Sequence, residues 1–237
     1  MNATQSPEQF NEFARISQVY TFDNTPLLAT AAVSFVVGYA EYVYSILISL
    51  NEQKGPFPLW LHLFYFAHDT TWIYVLSTAG YDHWFFFWCP GHLRGRRRDI
   101  VRSVATTRKM QSLWYIALFT AMMYGFMFLA LHWMEISCFL ESCAFCNMAF
   151  VFGSTSTWVR RGSRDGLSCG LALCIVVCTV FTFAPFGMMV QTAPKIFDHA
   201  AYYFLGAILT VLAISNAITV GNYPPKTGRK GQKSAIW

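Results

Sequence analysis

Six stretches of this sequence are apolar for about the length of a membrane-spanning helix, and no soluble domain fits between them. A bilayer core of roughly 30 Å takes about 20 apolar residues of helix. Leu27–Leu50, Phe57–Thr78, Ser112–His132, Ser137–Trp158, Leu167–Val190 and His199–Val220 meet that measure. Hydrocarbon offers no partner to peptide N–H and C=O groups, so each stretch must satisfy its own backbone, as a helix does. The expected fold is all-α, a polytopic transmembrane helical bundle over residues 27–222. A polar tail (1–26) precedes it and a basic tail (223–237) follows. Only 12% of the residues are charged, about half the share in a soluble domain.

The first 26 residues carry Asn2, Gln5, Glu8, Gln9, Asn11 and Glu12, so no cleavable signal peptide is expected and the first span directs insertion. Most of the seven cysteines fall inside apolar stretches, where Cys serves as a small hydrophobe. Cys143 and Cys146 form one C-x-x-C pair without a second pair or a nearby ligand His. A zinc site needs about four ligands, so neither a metal nor another cofactor is expected.

The 17 Lys and Arg residues are distributed unevenly. Arg94, Arg96, Arg97, Arg98, Arg102, Arg108 and Lys109 lie between the second and third stretches, and Arg160, Arg161 and Arg164 follow the fourth. Lys226, Arg229, Lys230 and Lys233 fill the tail, and only Lys195 precedes the last stretch. Loops rich in basic residues stay in the cytoplasm, which puts the C-terminus there; the expected membrane is that of the endoplasmic reticulum. The net charge of +5 is read as juxtamembrane cations meeting lipid headgroups, not as a nucleic-acid surface. Six spans place the N-terminus in the cytoplasm. A seventh through Tyr81–Leu93 reverses that, and the basic residues Arg15 and Lys54 do not decide between the two.

Ionisable groups inside hydrocarbon are costly and mark functional sites. Glu41 lies nine residues before the end of the first stretch, and Asp69 eleven residues after Pro58. With a rise of 1.5 Å per residue, adjacent antiparallel helices hold these two carboxyls about 14 and 17 Å from their connecting loop. His62, Tyr65, Asp69 and Trp72 are spaced three, four and three apart and share one helix face, with His68 pointing elsewhere. Tyr42 and Tyr44 flank Glu41. A buried carboxyl among aromatics stays protonated and can donate a proton. The bland alternative is a structural polar clamp between helices. Phosphate-binding glycine loops, the H-E-x-x-H motif and aspartate-rich diphosphate motifs are absent. No Lys lies inside a span, which excludes a retinal protein.

Two segments resemble the fungal integral-membrane terpene cyclases of meroterpenoid and indole-diterpene biosynthesis. One is Gly55-Pro56-Phe57-Pro58 followed by Leu59–Tyr74, where Asp69 stands in place of the family's usual Glu and His68 in place of its Trp. The other runs from Asn147-Met148-Ala149-Phe150 to Trp158 and on through Arg160-Arg161-Gly162-Ser163-Arg164-Asp165-Gly166. The resemblance implies seven helices and two acids that protonate an epoxide or alkene of a lipophilic prenylated substrate, in secondary metabolism. It implies a substrate pocket reaching Asn147. The family's second acid belongs in the last helix, but Ala201–Val220 contains none. Ala213 and Asn216 occupy that neighbourhood, Asp198 precedes it, and Glu41 is the candidate replacement. In such a cyclase aromatic faces steady a migrating carbocation, for which Tyr42, Tyr44, Tyr65 and Trp72 are candidates, and burial shields it from water. The competing class is a non-catalytic, proton-coupled small transporter or lipid-binding membrane protein using the same two acids.

Overall fold

The structure, a computed structural model, describes residue 16 and residues 18–52, 54–78, 109–134 and 139–226. Among the described residues the regular elements are α-helices: α1 (Thr25–Glu52), α2 (Leu59–Thr78), α3 (Lys109–Met134), α4 (Phe139–Arg161), α5 (Cys169–Phe183), the short α6 (Met188–Thr192) and α7 (Pro194–Phe197), and α8 (Ala200–Asn222). The all-α bundle expected from the apolar stretches is the fold observed. The seventh span proposed at Tyr81–Leu93 and the Arg-rich segment lie outside the described residues.

Among the described residues, four segments are both long and apolar enough to cross a membrane: Thr25–Glu52, Leu113–Trp133, Cys169–Thr192 and Ala200–Asn222. The other two long helices, α2 and α4, have the length but carry more polar residues. Leu61 and Leu63 of α2 and Val151, Ser154 and Trp158 of α4 are almost fully buried. By contrast, only 6% of the apolar window of α3 is buried, and Trp114, Leu118 and Trp133 point outward.

The expected fifth span is two helices rather than one. Ser168 caps α5 by accepting the Leu171 N–H at 3.4 Å. Pro185, which has no N–H to continue the ladder, ends it. The chain turns through 184–187, with the Gly187 N–H on the Ala184 carbonyl at 2.7 Å, and resumes as α6. A Cβ at Gly187 would stand 2.7 Å from the Phe181 carbonyl oxygen, so the turn needs a glycine there.

Helix α5 is the hub, packed against α1, α4 and α8, while α2 packs on α3 and α4. Small residues permit the close approaches, as expected between membrane helices. A Cβ at Gly170 would lie 2.4 Å from the Tyr44 hydroxyl, and one at Gly206 would lie 2.5 Å from Phe183 Cβ. Consecutive helices usually neighbour each other, yet α1 and α2 are not closely packed along their lengths. The space between them is the site described below.

At one end of the bundle Glu52, the 54–58 segment, the 161–168 loop and the end of α8 lock together, forming a clasp. Glu52 accepts the Gly166 N–H at 2.6 Å and pairs with Lys226. Lys54 pairs with Asp165 at 2.8 Å. The Trp158 indole donates to the Pro56 carbonyl at 2.7 Å, and Arg164 Nε to the Val220 carbonyl at 2.9 Å. Gly166 adopts φ +72°, and a Cβ there would meet the Arg161 guanidinium at 2.4 Å.

The clasp also fixes helix directions. Phe57 stacks on Trp158 at 6.2 Å and Trp72 meets Phe139 at 4.9 Å, so α2 and α4 are antiparallel. Phe126 meets Phe145 at 6.0 Å, and with only four residues between Met134 and Phe139 a parallel course is out of reach, so α3 is antiparallel to α4 and runs with α2. The chain leaves α2 at the outer end, away from the clasp, and begins α3 at the clasp end.

Candidate functional site

The gap between α1 and α2 is a cavity of about 260 Å³, to whose lining α4, α5 and α6 also contribute. Its volume is near the lower bound of small-molecule sites, roughly 300 Å³. The lining follows helical periodicity. Helix α1 presents Ser34, Gly38 and Tyr42, four residues apart, together with Glu41, and α2 presents Tyr65, His68, Asp69 and Trp72. Helix α4 contributes Cys143, Cys146, Asn147 and Phe150, α5 contributes Cys178 and Thr182, and the turn after Pro185 delivers Met188 and Met189. Glu41 and Asp69 therefore share one chamber, and no Lys or Arg lines it among the described residues.

The two carboxyls have different surroundings. Glu41 is 6% exposed, and its Oε1 has no hydrogen-bond partner among the described residues. Asp69 Oδ1 lies 3.0 Å from His68 Nδ1, and His68 Nε2 lies 3.3 Å from Ser142 Oγ on α4. The walls are held by hydrogen bonds that do not depend on a ligand. The Tyr65 hydroxyl donates to the Cys146 carbonyl at 2.8 Å. The Asn147 amide donates to the Cys143 carbonyl at 3.1 Å and accepts the Cys178 thiol at 3.1 Å. Aromatic contacts continue the wall: Tyr65 meets Phe150 edge-on at 5.6 Å, and Trp72 meets Phe139 at 4.9 Å. Such a chamber presents carboxyl oxygens and ring faces, a combination suited to giving up a proton and sheltering a cation.

Of the residues singled out in the sequence, Glu41, Asp69, Tyr42, Tyr65, Trp72 and Asn147 line the cavity, whereas His62 and Tyr44 do not. His62 lies two turns below Asp69, edge-on to Phe57 at 6.1 Å, below where the cavity ends. Tyr44 turns toward α5, where its hydroxyl fills the space left by Gly170. His68, expected to point away, faces the chamber instead. It sits three residues from Tyr65 and four from Trp72, and that spacing alone could have placed it there. Cys178, Met188 and Met189 carried no comparable signal, since only the bend at Pro185 and the packing of α5 bring them in.

Helix α8 lines none of the cavity. Its Asn216 is buried against α4, donating to Thr155 Oγ1 at 2.8 Å and Ser154 Oγ at 3.3 Å, and Asp198 accepts the Tyr203 hydroxyl at 2.7 Å. Asn216 therefore acts as a helix–helix clamp. Glu141, in the first turn of α4, also lies outside the lining. Comparison of the chain with protein-family models, with curated proteins and with solved structures finds no match.

Proposed function

We propose that this chain is a membrane-embedded terpene cyclase that starts the cyclisation of a lipophilic prenylated substrate by proton transfer from Asp69. The observation that carries the reading is the placement of Asp69 and Glu41 in one aromatic-walled chamber between α1 and α2. Two carboxyls sharing a site resist joint ionisation, so the pair begins a turnover with a proton on one of them. Asp69 gives its proton to an epoxide oxygen or an alkene carbon of the substrate. The chain folds onto the resulting cation, and Tyr65, Trp72 and Tyr42 present ring faces to it. A C–H proton lost at the end of the cascade passes to Glu41 on the α1 wall. The product is an isomer of the substrate, and no cofactor takes part.

The basic clasp supports an orientation with that end in the cytoplasm. The parallel course of α2 and α3 supports a seven-crossing topology with residues 16–24 on the opposite side, in the endoplasmic reticulum membrane. The test is to incubate membranes containing the protein with a panel of prenylated substrates, epoxidised and not. A cyclised product of unchanged mass is the expected result. Uptake of the compounds without conversion would overturn the reading in favour of a transporter, and neither conversion nor uptake would also overturn it.

A further inference from the structure

Glycine weakens the interior of a helix relative to Ala, and between membrane helices it is kept where two backbones must come close. Gly153, Gly170 and Gly206 fit that account, because a Cβ at each would run into Leu61, Tyr44 and Phe183. Gly38, inside the unbroken helix α1, does not. A Cβ built there meets nothing within 4 Å among the described residues, so neither a close contact nor a turn requires it. Its neighbours on α1 say which way the space opens. Ser34 and Tyr42, four residues to either side, and Glu41, three residues on, line the chamber together with Gly38, and residues at these spacings share one helix face. The missing side chain is a notch in the chamber wall. The neighbouring Ser34 hydroxyl donates back to the Thr30 carbonyl at 3.0 Å, so the notch suits hydrocarbon. Glu41 is the independent sign of a ligand: a carboxyl 6% exposed, with no hydrogen-bond partner for Oε1 among the described residues, lies one helical turn from the notch in the same chamber. Trp72 lies at the level of the notch. Gly38 is fourteen residues before the end of α1 and Trp72 thirteen after the start of α2, both about 20 Å from the clasp at 1.5 Å per residue.

We propose that Gly38 is the position that decides how much hydrocarbon the chamber accepts, its notch seating the part of a branched, prenyl-type chain that lies beside Glu41. The inference deepens the cyclase reading and rests on it for that chemical class. In that reading the last C–H bond breaks beside Glu41, its electron pair becoming the new C=C bond and its proton passing to the carboxylate. The ring that forms last is therefore the one the notch holds, and the room at Gly38 sets where cyclisation stops. Gly38 offers the substrate space and no chemistry, which makes it a specificity-determining residue. Filling the notch by substitution should exclude longer chains first.

The experiment uses the full chain in lipid nanodiscs and a farnesyl ether carrying a diazirine on its terminal isoprene unit. Light attaches this probe to the residues it touches, and mass spectrometry locates them. The wild type should be labelled on chamber-lining residues, in competition with unlabelled farnesol. Gly38→Leu should lose that label about tenfold or more, since one misplaced methylene in an apolar pocket already has an effect of that order. The geranyl ether, one isoprene unit shorter, should lose less. Gly125→Leu is the control: a Cβ at that α3 glycine also meets nothing within 4 Å among the described residues, but the residue is exposed and outside the chamber lining, so its labelling should match the wild type. Both Leu variants should keep or raise the thermal midpoint, because Leu favours the helix. Chamber labelling in Gly38→Leu equal to that of the wild type, or no competable label in the wild-type chamber, would overturn the proposal. A lower midpoint in Gly38→Leu alone would overturn it too, by showing that a segment of this chain fills the notch. Labelling needs no turnover, so the two readings fail separately. A label that depends on Gly38 without any cyclised product would refute the cyclase reading and leave the notch standing, while cyclised product with an unchanged label in Gly38→Leu would do the reverse.

Discussion

The clasp and the cavity both gather charged side chains, but they treat them in opposite ways. At the clasp, Glu52 meets Lys226 and the Gly166 amide, Lys54 meets Asp165, and Arg164 meets two carbonyls at the end of α8. Each charge there faces an opposite charge or a backbone dipole, an arrangement that joins segments distant in sequence. In the cavity two carboxyls and one imidazole share a chamber that, among the described residues, holds no Lys or Arg and no partner for Glu41 Oε1. A protein selected only for stability would pair or remove such a group, because a buried polar atom without a hydrogen bond costs about 1–3 kcal/mol. The clasp holds the bundle, and the cavity keeps acids ready to exchange protons.

Substitutions at the two regions should therefore separate stability from activity. The largest effect expected from this contrast is at Glu41. Glu41→Gln preserves shape and removes the group that takes up the final proton, so turnover should fall by about 100-fold or more while the thermal midpoint in detergent holds or rises. A turnover loss matched by a large fall in midpoint would make Glu41 a structural clamp like Asn216. Next comes Gly166→Ala, which puts a Cβ into the left-handed region and against Arg161. It should lower unfolding stability by about 2 kcal/mol, read from denaturant or thermal curves, and leave activity per folded molecule unchanged. The smallest effect belongs to the Lys54–Asp165 pair, whose side chains are 51% and 53% exposed. Replacing both by Ala should cost less than about 1 kcal/mol, and less still at high salt. A larger cost, insensitive to salt, would mean that this pair carries the clasp.

The same contrast explains what could be read from the sequence. Apolar length is a local property, so five of the six expected spans match an observed helix to within a few residues. The weakness of the fifth span at Pro185 and Gly187 is equally local, since one residue lacks an N–H and the other lacks a Cβ. Which wall a side chain joins depends on the partner helix, and that is not local. Glu41 and Asp69 were expected at one level on adjacent helices; they line one cavity because α1 and α2 stand apart, with α1 held against α5 by the fit of Tyr44 to Gly170. The stripe from His62 to Trp72 is a true helix face, but the chamber covers only its upper part, so His62 falls outside and His68 inside. The alternation of basic loops gave no account of the clasp, whose loop turns on the positive φ of two glycines, Gly162 and Gly166.

The central claim is that Asp69 is the acid that starts cyclisation in this chamber. The most direct measurement is product formation by purified wild type and Asp69→Asn from an epoxidised prenylated substrate, analysed for a cyclic isomer of unchanged mass. The account predicts such an isomer from the wild type, and a loss of at least about 100-fold in Asp69→Asn at an unchanged thermal midpoint. Equal product from both proteins, or none from the wild type, would contradict it.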